Sequence, residues 1–174
     1  EHINSTINIT AHTIHLHKKN IQNVISLVTT IVLDCTDNIK TRLLINDYCR
    51  EQKIPWIYAA AVGMKGSIAF ISPNGPCIRC FLPTNAHGET CSNAGVLNTL
   101  THTISSMQVT LCFRHILGEE FQGNELIYYD VWNNSLKYIT IHKKKSCSHT
   151  GTIEEDAKEQ FCAGKFQLLG KPVD

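Results

Sequence analysis

The pattern of hydrophobic and polar positions changes period several times along the chain. Residues 7–14 (INITAHTI) alternate apolar with polar positions, which predicts a strand with one solvated face. Residues 20–27 (NIQNVISL) suit a short helix with Asn20 as its N-cap. Residues 29–33 (TTIVL) form a compact, β-branched run, the pattern of a strand buried on both faces. The polar cluster Asp34, Cys35, Thr36, Asp37, Asn38 follows at once, and open α/β sheets place their ligands just past such strand ends. Residues 39–52 predict an amphipathic helix with Leu43, Leu44, Tyr48 and Cys49 on its inner face. Lys40, Arg42, Asp47 and Arg50 are expected to point away from that face.

Residues 54–62 (IPWIYAAAV) predict a second strand, Gly63 and Gly66 bracket a turn, and residues 67–72 (SIAFIS) supply a hairpin partner. Pro73, Asn74, Gly75 and Pro76 make a further turn. Residues 84–92 read as a polar loop, and residues 93–117 as the longest helix, stopped by Gly118 at the C′ position. Residues 126–129 and 136–142 predict two strands joined through Asn133 and Asn134. A basic loop (143–150) and a short charged helix (154–160) follow. This order predicts an α/β fold whose mixed sheet carries an antiparallel extension.

Composition narrows the function. The 174 residues suit one domain, with 43% hydrophobic and 18% charged positions. Sixteen Lys and Arg against fifteen Asp and Glu leave a net charge of +1, which excludes a broad nucleic-acid or anionic-membrane binder. No apolar run reaches the roughly 18 residues of a membrane span, and no secretory signal opens the chain. A cytoplasmic protein with reduced thiols is therefore expected. Of eight cysteines, only Cys77 and Cys80 have the two-residue gap of a tetrahedral metal half-site.

Leu33–Asn38 (LDCTDN), with Arg42 five residues beyond Asp37, resembles the ThiF/MoeB/HesA adenylyltransferases, bacterial relatives of ubiquitin-activating enzymes. Further similar strings follow in the family's order: IPWIYAAAVGMKGSI (54–68), PCIRC (76–80), ETCSNAGV (89–96), SSMQ (105–108) and DVWNN (130–134). The resemblance covers about residues 3 to 150. It implies the C-terminal portion of a Rossmann-like, ubiquitin-activating-type fold with a zinc knuckle over residues 1–150, followed by a tail over 151–174. The family's Gly-rich nucleotide turn and its phosphate-binding Arg and Lys fall before the position matching Glu1. The chain is therefore expected to be a fragment that does not catalyse ATP–pyrophosphate exchange alone.

The resemblance also implies a reaction: the C-terminal glycine carboxylate of a ubiquitin-like sulfur carrier attacks the α-phosphate of MgATP, for thiamine or molybdopterin biosynthesis. The YYDVWNNSLKYI segment is nearer the thiamine-type members. Asp37 matches the family's magnesium- and nucleotide-associated aspartate and Asn38 a nucleotide-contacting neighbour; either is also suited to cap the following helix. Asp34 is expected to be a structural hydrogen-bonding partner. Cys91 matches the cysteine that handles sulfur or links covalently to the carrier, although a plain loop cysteine stays open. The zinc set implied is Cys77, Cys80 and Cys147 with His149, or with Cys162 reaching back, because Thr150 stands where the family has its fourth cysteine. ATP, Mg²⁺ and Zn²⁺ are the implied cofactors, and a homodimer is implied, although His102, Ser105 and Leu111 depart from the family pattern on the long helix.

The remaining candidates read as structural. Cys35, Cys49 and Cys112 suit small core positions, His12, His15 and His17 a solvated strand face, Lys143, Lys144 and Lys145 a solvated loop, and Trp56 and Trp132 packing. A non-catalytic, carrier-binding zinc module is the alternative function. A nicotinamide-type oxidoreductase is disfavoured, because no G-x-G-x-x-G precedes a helix.

Overall fold

Five strands hydrogen-bond into one sheet with helices on both faces. The computed structural model describes residue 4, residues 6–82, residues 94–145 and residue 147. In chain order the elements are α1 (Ile21–Val24), β1 (Val32–Leu33), α2 (Ile39–Glu51), β2 (Trp56–Val62), β3 (Lys65–Ile71), α3 (Ile78–Phe81), α4 (Asn98–Ile116), β4 (Glu125–Asp130) and β5 (Ser135–Thr140). The sheet order is β1-β2-β3-β4-β5. β1 runs parallel to β2, with Val32 beside Trp56, and every other pairing is antiparallel. The mixed sheet with an antiparallel extension is thus the observed architecture.

The period-2 alternation of a strand sends successive side chains of β2 to opposite faces. Trp56, Tyr58 and Ala60 pack with Ala69, Ile71 and Ile78 against Leu44, Ile45 and Cys49 of α2. Ile57 and Ala59 pack with Ile68 and Phe70 against Leu100, Ile104 and Leu111 of α4. Because both faces are covered, β2 and β3 read as near-continuous apolar runs. Gly66 lies within β3 rather than at a turn edge, and a Cβ there would sit 2.4 Å from Ile104 Cδ1, so the glycine is what lets α4 lie against the sheet. α4 ends as predicted. Gly118 adopts φ +93°, its N–H donates to His115 O at 3.0 Å, and Glu119 N donates to Arg114 O at 3.0 Å, the paired bonds of a Schellman stop.

Several expectations are corrected. Residues 7–14 form no strand: Ile7, Ile9 and Ile14 are exposed, and among the described residues no strand lies beside β1 on its outer edge to pair with them. β1 is only two residues long and half-buried, not buried on both faces. Asn20 stands at the N-cap of α1 without a capping bond from its side chain. Its amide instead accepts from His17 N at 2.8 Å and donates to His15 O at 2.8 Å, closing the approach to the helix. Trp56 is fully buried as expected, but Trp132, at the tip of the β4–β5 turn, is 70% exposed. Cys49 is a core residue, whereas Cys35 is exposed and Cys112 half-buried. Among the described residues, no helix is long and apolar enough to cross a membrane.

Candidate functional site

The polar cluster after β1 is organised by one buried ion pair. Asp34 is fully buried, and its Oδ2 lies 3.0 Å from Nε of Arg42, one turn into α2. The other carboxylate oxygen, Oδ1, accepts from the Thr36 N–H at 2.9 Å and the Thr36 hydroxyl at 2.6 Å. Arg42 Nη2 donates to Thr36 O at 2.5 Å and to Ala59 O of β2 at 2.9 Å, while the guanidinium stacks 5.2 Å from the Tyr58 ring centroid. Burial is the largest influence on the Asp34 carboxyl and raises it above the ordinary value, against the opposing pull of Arg42 and Thr36. The expectation that Asp34 is structural therefore holds. Arg42 was expected to face away from the core and is instead 5% exposed; Arg50 is 8% exposed. A guanidinium can enter the interior where its fixed fork of donors meets carbonyls and a carboxylate, as here.

This clamp sets the turn that carries Asp37 and Asn38, both exposed at the C-terminal end of β1. Asn38 is the N-cap of α2: its backbone is extended and its Oδ1 accepts from Thr41 N at 2.9 Å. Its Nδ2 lies 3.4 Å from Asp37 Oδ1. The Asp37 carboxylate thus stands beside a helix N-terminus and a strand end, with a hard oxygen donor facing solvent.

The second cluster is a group of thiols. Among the described residues, Cys77, Cys80 and Cys147 are the one set of metal-ligating side chains that converges, with sulfurs within 4.8 Å of one another. Cys147 Sγ is 3.4 Å from Cys77 Sγ and 3.3 Å from Cys80 Sγ. Burial tends to raise the Cys80 thiol, but backbone hydrogen bonds from Lys144 and Cys77, with the adjacent sulfurs, bring it below the ordinary value. Cys147 is pushed up to about 12 by burial and by its two neighbours. Three crowded sulfurs that compete for protons are the electrostatic condition that a bound cation relieves.

α2 connects the two clusters. Asn46 Oδ1 accepts from Ile78 N at 3.2 Å, Asp47 pairs with Arg79 at 2.6 Å, and Arg50 Nη1 donates to Gly75 O at 2.7 Å. Lys143 and Lys144, expected in a solvated loop, are exposed but tied down, donating to Asn74 O at 3.2 Å and Arg79 O at 3.0 Å. These bonds bring the segment after β5 over α3 and deliver Cys147 to the other two thiols. Cys91, His149 and Cys162 lie outside the described residues. His12, His15 and His17 are exposed and gather no ligand group among the described residues.

With the geometry in hand, comparison with known proteins is decisive for kinship. The model of the ThiF family matches residues 1–149. The chain belongs to the ThiF family. It is 31% identical over 175 residues to the adenylyltransferase and sulfurtransferase MOCS3 of Aedes aegypti, covering 95% of this chain and 40% of that protein. It is 30% identical to the sulfur carrier protein ThiS adenylyltransferase of Bacillus subtilis, over 86% of this chain and 45% of that one. The SAMP-activating enzyme E1 of Haloferax volcanii is 28% identical, over 91% and 60% respectively. This ThiF-family chain therefore spans between 40% and 60% of the length of these relatives. Its fold is similar to that of E. coli MccB in a structure with AMPCPP and MccA, at a TM-score of 0.61 and 13% identity, covering 79% of this chain and 44% of that one.

One buried polar residue beside the site was quoted in the sequence only within SSMQ (105–108) and given no role of its own. Gln108 of α4 is 3% exposed and reaches across to the end of β1. Its signal was a single amide on the otherwise apolar helix face formed with Leu100, Ile104 and Leu111.

Proposed function

We propose that the protein uses MgATP to adenylate the C-terminal glycine carboxylate of a ubiquitin-like sulfur-carrier protein, serving thiamine or molybdopterin biosynthesis. The observation that carries this reading is Asp37, an exposed carboxylate at the end of a parallel strand, held on a turn locked by the buried Asp34–Arg42 pair. The names of the relatives from Bacillus subtilis and Aedes aegypti support the reaction class.

In this reading the Asp37 carboxylate, a hard oxygen donor, would hold Mg²⁺, and the donor type fits that ion. When bound, the ion supplies neutralisation of phosphate charge. Asn38, beside it at the helix N-terminus, contacts the nucleotide while capping α2. The carrier's terminal carboxylate attacks the α-phosphorus, the new bond is acyl-phosphate, and pyrophosphate leaves with the electron pair of the broken bond. Cys91 is the thiol that handles sulfur or links to the carrier.

The thiol cluster suits structural Zn²⁺. Tetrahedral thiolate ligation at about 2.3 Å separates sulfurs by about 3.8 Å, a small spread from the spacing of Cys147 with Cys77 and Cys80. His149 or Cys162 completes the set. Four protein ligands leave no position for substrate, so the metal's contribution is to fasten the segment after β5 to α3.

The carrier docks on the uncovered part of the sheet, where Trp132, Leu136 and Tyr138 are exposed. Val109, Phe113, Ile116 and Leu117 form an exposed apolar stripe on the face of α4 opposite Leu100 and Ile104, which supports a homodimer. The described cysteines are free thiols, which suits the cytoplasm.

The test is carrier-dependent ATP–pyrophosphate exchange by the protein produced from its complete coding sequence. Asp37→Ala should abolish exchange; a variant with near-normal exchange refutes the role of Asp37.

A further inference from the structure

Gln108 sits in the middle of α4 among apolar side chains, yet its amide is fully engaged. Nε2 donates to Asp34 O at 2.9 Å and to Ile57 O at 3.1 Å. Oε1 faces the Cys35 thiol, with Sγ 3.8 Å away. The orientation is set by chemistry: carbonyl oxygens only accept, so the NH₂ end must face them, while the thiol donates to the amide oxygen. Asp34 N also donates to Ile57 O at 3.0 Å, so the glutamine grips β1 and β2 at their last shared ladder bond.

The turn to Asp37 leaves the sheet at this point. The Asp34 side chain is held by Arg42 and Thr36, and its main-chain carbonyl is held by Gln108. The two restraints act on one residue, three positions before Asp37. An apolar residue at 108 could fill the same space beside Leu111, but it would leave the Asp34 carbonyl without this buried donor. Ile57 O would keep its bond from Asp34 N, so the loss falls on the turn and not on the sheet.

We propose that Gln108 is a positioning residue for Asp37: it pins the carbonyl end of β1 so that the turn presents the Asp37 carboxylate at one place for a magnesium–nucleotide complex. The inference rests on the nucleotide reading proposed above. Gln108 touches neither metal nor nucleotide and acts through the backbone of residues 34–37.

The experiment uses the protein from its complete coding sequence and the non-hydrolysable analogue AMPCPP. Calorimetry measures its binding with and without Mg²⁺, alongside carrier-dependent exchange and thermal unfolding. Gln108→Met, similar in volume and without donors, should weaken Mg²⁺-dependent binding by roughly ten-fold or more while Mg²⁺-free binding changes little. Leu111→Ala removes packing from the same helix face without touching the turn; it should lower the melting temperature and leave the Mg²⁺ dependence within about two-fold of wild type. Gln108→Asn keeps the amide but shortens its reach, and it carries the same criterion where the methionine variant does not fold. A folded Gln108 variant with unchanged Mg²⁺ dependence, or an equal shift in Leu111→Ala, overturns the positioning role. A wild-type protein that binds no Mg²⁺–AMPCPP overturns the nucleotide reading itself, and this inference with it.

Discussion

Asp34 and Arg42 form an ion pair of 3.0 Å with both side chains buried, and everything exposed in the turn that follows β1 hangs from it. The ion pair satisfies Asp34 Oδ2 and Arg42 Nε by charge alone, because neither atom has a hydrogen-bond partner, while Asp34 Oδ1 accepts from Thr36 and Arg42 Nη2 donates to the carbonyls of Thr36 and Ala59. Removing one partner strands the other in a low-dielectric site. Arg42→Ala should therefore cost about 3–5 kcal/mol, read as a shift in the urea midpoint at unchanged m-value. A loss below about 1 kcal/mol would mean that water reaches Asp34 and that the pair is dispensable.

Gly66 and Ile104 make a steric prediction. A methyl at 66 meets Ile104 Cδ1 at 2.4 Å and Cγ1 at 2.5 Å, and Ile104 is itself 4% exposed and cannot swing outward. Gly66→Ala should destabilise by roughly 1–3 kcal/mol through overpacking. Gly66→Ala combined with Ile104→Ala should recover part of that loss relative to additivity, because the pair is in contact. Strict additivity in a double-mutant cycle would place the strain elsewhere.

Asn38 separates capping from ligand binding. Asn38→Ala removes the bond to Thr41 N and should cost about 1 kcal/mol of stability, whereas Asn38→Ser should keep most of it. If both variants lose nucleotide binding to the same degree while only alanine loses stability, the side-chain amide contacts the nucleotide directly. If the serine variant binds normally, the cap alone accounts for the residue.

Thiol reactivity should follow burial. Cys49 is fully buried and its thiol is pushed up to about 12, so its thiolate fraction at pH 8 is on the order of 10⁻⁴. Cys35 is also shifted upward, by partial burial and by Asp34, but it is exposed. Iodoacetamide mapping of the native protein should find Cys35 modified well before Cys49. Comparable labelling of the two would show that α2 opens readily from the sheet.

Metal content tests the knuckle. Elemental analysis should find close to one zinc per chain, and Cys77→Ser, Cys80→Ser and Cys147→Ser should each reduce it. Chelation should lower thermal stability in the wild type and have little effect in those variants. Less than about a tenth of an equivalent in carefully prepared wild-type protein rejects the structural zinc.

Most regular elements of this fold were legible in the amino-acid order because their signals are local; α3 was not foreseen, and α4 begins at Asn98 and not at residue 93, because Val96 bridges to Gly63. The periods of α2, α4 and the two hairpins, the Gly118 stop, the polar cluster after β1 and the Cys77–Cys80 spacing all depend on neighbours within a few residues. Residues 7–14 show the limit of that logic: alternation makes a strand only where another strand offers it hydrogen bonds. Tertiary structure decided the rest. Cys147 meets Cys77 across 70 residues and Cys80 across 67, and Gln108 meets Asp34 across 74. Whether an arginine such as Arg42 faces water or anchors a buried carboxylate is not written in its spacing. It depends on which carbonyls and carboxylates the sheet brings within reach of its donors, and only the folded topology determines that.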